Sequence, residues 1–379
     1  MTDSATEATA LKMIRSEIAL LSAIVTTIAF AFFGTQWMES LSPGSLLLVT
    51  VFLFGIILAS AFGLVRHADT LAVLLGEPYG TLVLTLSVIS IEVAMIAALM
   101  LTGNEYPTLA RETMYAVVMI VLNGMVGLAL LLGGLRHREQ EYNLQGANSF
   151  LALILPLAVL VLIFPNYTQS TDGPTFSVPQ EIFLCATALG LYAVFLAVQT
   201  VSHRSYFISP ATESDATGPD LKDEHPGLVV HAPGFHAAMI IFYLLPIVFL
   251  SKTIAFPIDA TIVSFDAPTA LGGFIVAVLV LSPEALSSVR AAQANRLQRA
   301  VNLLLGSVAA TISLTVPAVL LIAMATEKTV VLGLGPVDSI LLLLTLGVCM
   351  VTFGSGRTNV LQGAVHIVLF LAYVGLMFD

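Results

Sequence analysis

Charge is scarce in this sequence. Asp, Glu, Lys and Arg together make up 10% of its 379 residues, against roughly 25% in soluble domains, so a soluble globule is excluded. Net charge is −10, with the acids gathered in loops and tails, which argues against a nucleic-acid partner. Cysteine is reduced to Cys185 and Cys349. They lie far apart inside apolar runs and read as packing residues rather than a disulfide or a metal pair. Catalytic signatures are missing as well. No HExxH, no P-loop, no GxGxxG before a soluble helix and no nucleophile–base set is present, which points away from an enzyme, a primary pump and any bound cofactor.

Apolar sequence fills the space. Hydrophobic residues reach 58% and mean hydropathy is +0.97. The runs are long and unalternated, so they predict membrane-spanning helices rather than barrel strands of about ten residues. About eleven spans are expected, at 17–38, 45–65, 70–101, 109–134, 148–165, 181–202, 235–256, 268–289, 298–325, 336–353 and 360–377. The first residues, MTDSATEATALKMIRSE, lack the compact pattern of a cleavable signal and lead into a full-length span, which is kept as structure. With the N-terminus in the cytoplasm, eleven basic residues fall inside and only Arg111, Lys252 and Lys328 outside. That bias sets the orientation and places Asp379 outside.

Two acids break the apolar runs. Of the 24 Asp and Glu residues, Glu92 and Glu284 are the two that fall deep within spans, where an ionisable group costs several kcal/mol unless satisfied. Sliding Gly80–Met100 onto Gly272–Val289 aligns Gly80 with Gly272, Ser90 with Ser282 and Glu92 with Glu284. With the first helix set aside, the spans divide into five, a polar loop, and five more. An odd number puts the second set in the opposite sense, which is the inverted repeat common among secondary transporters. The expected divisions are a tail and extra helix over 1–43, a five-helix repeat over 44–202, an acidic cytoplasmic loop over 203–233 and a second repeat over 234–379. The loop reads as a solvated linker. His203, His225, His231 and His236 cluster near it, with spacing that fits no standard zinc pattern.

No Lys or Arg lies in either acid-bearing run, so the countercharge is expected to be a transported cation or protons. Two facing carboxylates in low dielectric raise each other's pKa and titrate as a pair. A hard divalent ion such as Ca²⁺ wants six to eight oxygens, and two glutamates supply up to four. Ser87, Ser90, Asn123, Ser282, Ser307 and Thr311 are candidate helpers, although each alone reads first as helix packing. Pro283 frees an upstream carbonyl beside Glu284. Gly76-Glu77-Pro78 marks an expected interruption of the third span, with Glu77 a candidate for the cytoplasmic entrance. Gly133-Gly134 and Gly306-Ser307 read as close helix packing.

These residues carry a resemblance. LLGEPYGTLVLTLSVISIE is similar to the first α-repeat of cation/proton antiporters of the cation/calcium exchanger superfamily, with Gly76, Glu77, Gly80 and Glu92 at matching positions and Val88-Ile89 where Gly-Asn is usual. The second repeat matches at Glu284, Gly306, Ser307 and Pro317, with Leu281-Ser282 in place of Gly-Asn. Gly356 to Gly363, GRTNVLQG, resembles the family's closing motif, with Gln362 where an acid is usual. Over its full length the chain most resembles the bacterial ChaA-type branch. The resemblance implies a sodium/calcium exchanger-like fold, an inner-membrane location, and exchange of Ca²⁺, and of Na⁺ or K⁺, for protons by alternating access, with Glu92 and Glu284 as ligands. A monovalent Na⁺(K⁺)/H⁺ exchanger is the close alternative, and a cation channel a more distant one.

Overall fold

The computed structural model describes residues 17–75, 79–100, 107–209 and 231–378. Eleven long helices appear among them: α1 (Ile18–Glu39), α2 (Pro43–Leu75), α3 (Tyr79–Met100), α4 (Leu109–His137), α5 (Leu144–Leu162), α6 (Val178–Ser202), α7 (Pro233–Ser264), α8 (Ala270–Gln293), α9 (Leu297–Thr326), α10 (Pro336–Thr352) and α11 (Val360–Leu376). Each corresponds to one expected span. Two short strands, β1 (Glu139–Glu141) and β2 (Arg357–Asn359), pair antiparallel.

One boundary is corrected. Residues 70–75 complete α2 instead of opening the third span, so α2 is 33 residues long. Hydropathy falls at Arg66 and His67, but helix formation does not depend on hydropathy. Both side chains are taken up by Glu17 at the head of α1, so the backbone has no reason to stop. Gly76, Glu77 and Pro78 lie outside the described residues.

The chain forms two compact units, Met1–Thr102 with Thr217–Asp266 and Gly103–Ala216 with Ala267–Asp379. In the first, α2 and α7 pack along one another, with α3 and α1 against both. The approach is close because Gly63 has no Cβ; one built there would overlap the buried Tyr243 ring. Small residues at such crossings let helix backbones meet in lipid, where no hydrophobic force drives them together.

In the second unit α4 is the core helix, with 83% of its apolar window buried against 28% for α6. α8 and α11 pack on α4, α9 packs on α8, and α6 covers the second half of α9. Gly273 of α8 stands against the Thr113 amide, at 2.9 Å from an added Cβ. A Cβ on Gly134 would meet the Val360 amide at 2.9 Å, and one on Gly363 would overlap the Leu131 amide and reach the Gly127 carbonyl at 3.0 Å. Gly134 and the GRTNVLQG motif therefore serve the α4–α11 contact, while Gly133 faces Gln140 and Ala292.

Backbone atoms cannot swing aside as a flexible side chain can. Gly363→Val is expected to lose about 1–3 kcal/mol through overpacking, read as a lower unfolding midpoint in detergent. Gly347→Ala, in open space on α10, should leave that midpoint unchanged or raise it.

Candidate functional site

Glu92 is the fourteenth residue of α3 and is 2% exposed. Ile89 and Ile96, three residues before and four after, share its face and are also buried. Ser90 does not share it: at 3.6 residues per turn, two positions are about 200°, and Ser90 is exposed with its hydroxyl donating to the Leu86 carbonyl at 2.6 Å. Ser87 is buried, about 140° round the helix from Glu92, and donates to the Val83 carbonyl at 2.7 Å.

Glu284, 8% exposed, occupies the corresponding place on α8. Ser282 repeats the geometry of Ser90, on the far side of its helix with its hydroxyl donating to Val278 at 2.6 Å. α8 continues through Pro283 without a break. Proline has no N–H to give, so the Leu279 carbonyl one turn back lacks its usual helical donor.

Each acid-bearing helix is followed by one with a π turn. In α4 it spans Ile120–Met125, beginning 28 residues after Glu92; in α9 it spans Thr311–Thr315, beginning 27 after Glu284. π turns cost hydrogen-bond geometry and concentrate at functional positions. Their appearance at offsets one residue apart after the two acids was not visible in the sequence. In α9 Pro317 follows directly, removing a donor; in α4 no proline is present, and Asn123 and Gly124 occupy the turn.

Asn123 is fully buried but turned toward α10 and α11. Its amide nitrogen donates to Thr345 Oγ1 at 2.9 Å, and its oxygen lies 3.2 Å from His366 Nδ1. His366 Nε2 is 2.9 Å from Thr352 Oγ1, so the polar chain is fixed at both ends. This places Asn123 as a tie between helices. Ser307 is half-buried on α9, and Thr311 is buried at the start of the π turn.

Two further hydroxyls belong with Thr311. Ser313 and Thr315 are both 0% exposed, and their hydroxyls make no hydrogen bond among the described residues. A buried hydroxyl without a partner costs about 1–3 kcal/mol. The run TISLT carries the signal, but hydroxyls two apart point to different sides of an ordinary helix, so the spacing alone does not mark them as a group.

The end of α8 is pinned from outside the membrane-spanning stretch. His137 Nε2 donates to the Gln293 carbonyl at 2.8 Å, and Gln140, buried in β1, donates to the Ala292 carbonyl at 2.8 Å and to Asn295 Oδ1 at 3.0 Å. Asn295 turns the chain at φ +59, a conformation Asn tolerates better than most residues. β2 holds β1 in place. Asn359 then caps α11 by accepting from the Leu361 amide at 2.9 Å, while Gln362 accepts from the Asn359 amide at 2.7 Å. That reciprocal box needs Glu or Gln equally, so the family's acid is replaced without structural loss. Burial pushes the Tyr142 phenol up; still protonated, it donates to the Thr352 carbonyl and accepts from the Gly356 amide.

The fold agrees with that of known proteins. The chain is 43% identical over 322 residues to the sodium-potassium/proton antiporter ChaA of Escherichia coli (strain K12), covering 85% of this chain and 86% of that one. It is 41% identical over 321 residues to the putative ionic transporter y4hA of Sinorhizobium fredii, covering 84% and 86%. Among solved structures, native YfkE superposes with a TM-score of 0.68 at 15% identity, over 96% of this chain and 99% of that one. The H⁺/Ca²⁺ exchanger CAX gives 0.67 at 15% identity, over 96% and 89%. The family described as sodium/calcium exchanger protein matches residues 44–201 and 235–378. This multi-pass membrane chain, a transporter and not an enzyme, belongs to the sodium/calcium exchanger family.

Proposed function

We propose that the protein is a proton-coupled cation antiporter in which Glu92 and Glu284 are shared between a cation and protons. The observation that carries this reading is the doubled arrangement: a buried carboxylate in each repeat, followed at 28 and 27 residues by a π turn. A carboxylate kept in hydrocarbon is costly whether charged or neutral, and two at matching positions are explained by a shared ligand. The two matched segments, 44–201 and 235–378, support the division into repeats over 44–202 and 234–379 around the acidic loop. The basic residues support a cytoplasmic N-terminus and an external Asp379, with export of the cation driven by proton entry.

Na⁺ and K⁺ are favoured as the exported ions, with Ca²⁺ second. Ca²⁺ needs six to eight oxygens, and the glutamates supply up to four. Ser90 and Ser282 stand away from the faces of their acids, and Asn123 is tied to Thr345 and His366. What remains to help is the Leu279 carbonyl and the hydroxyls of Ser313 and Thr315. A smaller ligand count suits a single charge. The sodium-potassium/proton antiporter at 43% identity points the same way.

Glu92→Gln and Glu284→Gln keep side-chain volume and remove the titratable charge. Each is expected to lower cation-dependent proton movement in inverted vesicles more than tenfold, with membrane level and unfolding midpoint retained. Full exchange by both variants would end the proposal.

Adding Na⁺, K⁺ and Ca²⁺ separately to the same vesicles across a pH series tests the ion order. Exchange with Na⁺ and K⁺ should exceed that with Ca²⁺, and Glu284→Asp should change the ratio by retracting an oxygen by about one methylene. Currents beyond carrier turnover in planar bilayers would instead indicate a channel.

A further inference from the structure

In the unit containing α1, α2, α3 and α7, polar side chains from three helices converge away from either acid described above. Glu17 Oε1 accepts from Arg66 Nη2 at 2.7 Å. Glu17 Oε2 accepts from the Tyr243 hydroxyl at 2.7 Å and lies 3.3 Å from His67 Nε2. His67 Nδ1 is 2.9 Å from His236 Nδ1. The His231 backbone N–H donates to His236 Nε2 at 3.2 Å. His67 and His236 are 2% and 0% exposed.

The bonds fix the tautomers. A backbone amide only donates, so His236 Nε2 accepts and carries no proton. A neutral imidazole has one N–H, which for His236 is then on Nδ1 and donates to His67 Nδ1. His67 therefore holds its proton on Nε2 and donates it to Glu17. The relay runs one way, from the His231 amide through His236 and His67 to a carboxylate. Neither ring can take another proton without losing a bond: on His236 it would face the His231 N–H, and on His67 it would face the His236 N–H.

Other charged and titratable groups surround the pair. Arg66 Nη2 lies 3.5 Å from His67 Nε2; both are donors and do not bond to each other. Asp69 follows on α2, His231 and Tyr243 come from α7 and its approach, and on α3 the described titratable side chain is Glu92, thirteen residues beyond Tyr79.

We propose that this relay is a proton-sensing site, separate from the exchange site, which ties α2 to α7 through the His67–His236 bond while both imidazoles are neutral and loses that bond when either takes up a proton, the Arg66 and Tyr243 bonds to Glu17 remaining. Its output rests on the exchange function and orientation proposed above. On the cytoplasmic side, acidification by incoming protons would open the tie and slow further exchange.

The test has two arms. In the first, ¹⁵N-histidine NMR of the full chain in lipid nanodiscs, assigned with His67→Gln and His236→Gln, reads the tautomers without needing transport. At alkaline pH His236 should be protonated on Nδ1 and His67 on Nε2, with both signatures lost on acidification. The opposite tautomer on either ring, or rings unchanged down to pH 5, overturns the proposal.

In the second, exchange is followed against cytoplasmic pH. Glu17→Gln removes the anion that favours an imidazolium and should move the acid limb to lower pH. Tyr243→Phe leaves Glu17 more basic and should move it to higher pH, each by about half a unit. Shifts absent or of one sign would sink the sensor. If exchange itself is missing, the antiporter reading fails and the NMR arm still decides the relay.

Discussion

A carboxylate inside hydrocarbon has to be compensated, and much of this fold can be read as compensation. Hydrocarbon offers no water to solvate charge and no hydrophobic force to bring helices together. The acid-bearing helices must therefore be held by backbone contact and by hydrogen bonds made elsewhere. α8 shows how. At one end Gly273 lets it lie against the Thr113 amide; at the other, His137 and Gln140 grip the carbonyls of Ala292 and Gln293. Glu284 lies between two fixed points.

The π turns extend this division of labour. A regular helix commits every interior carbonyl to an amide four residues on. A π turn loosens that register for one turn, and Pro317 and Pro283 each withdraw one more donor. In α9 the turn also buries the three hydroxyls of Thr311, Ser313 and Thr315. Such an interior is costly for a helix that only has to span, and it supplies oxygen for a helix that has to handle a cation. In α4 the turn is occupied by Asn123, whose bonds to Thr345 and His366 tie α4 to α10 and α11. The repeats thus keep the turn and differ in its use.

The spans and both acids were legible in the sequence because each depends on local composition. Eleven apolar runs of helical length cannot be much else, and a glutamate among isoleucines and valines stands out. The end of α2 was misplaced for the complementary reason. Arg66 and His67 look like a helix terminus until Glu17, 49 positions earlier for Arg66, is known to meet them. Asn123 looked like a spare ligand because its partners, Thr345 and His366, are more than 200 residues away. Ser90 and Ser282 aligned with their acids in sequence, yet a spacing of two places them across the helix. The π turns left no compositional trace in α4 and only a misleading one in α9.

The motifs that carried the resemblance prove to be of two kinds, and the distinction bears on ion choice. GRTNVLQG makes a strand, a helix cap and a glycine contact; its function is architectural, and Gln362 fills the place of an acid because a capping box accepts either. The Gly-Asn pair that precedes each family glutamate is different, since Asn brings an amide oxygen near the acid. Val88-Ile89, and Val280-Leu281 aligned with them, bring no such amide. Architecture has therefore been preserved where it holds the helices, while polar atoms have been lost beside the carboxylates. Loss confined to the positions beside the carboxylates, with the helix contacts kept, is what the proposed preference for Na⁺ and K⁺ over Ca²⁺ requires.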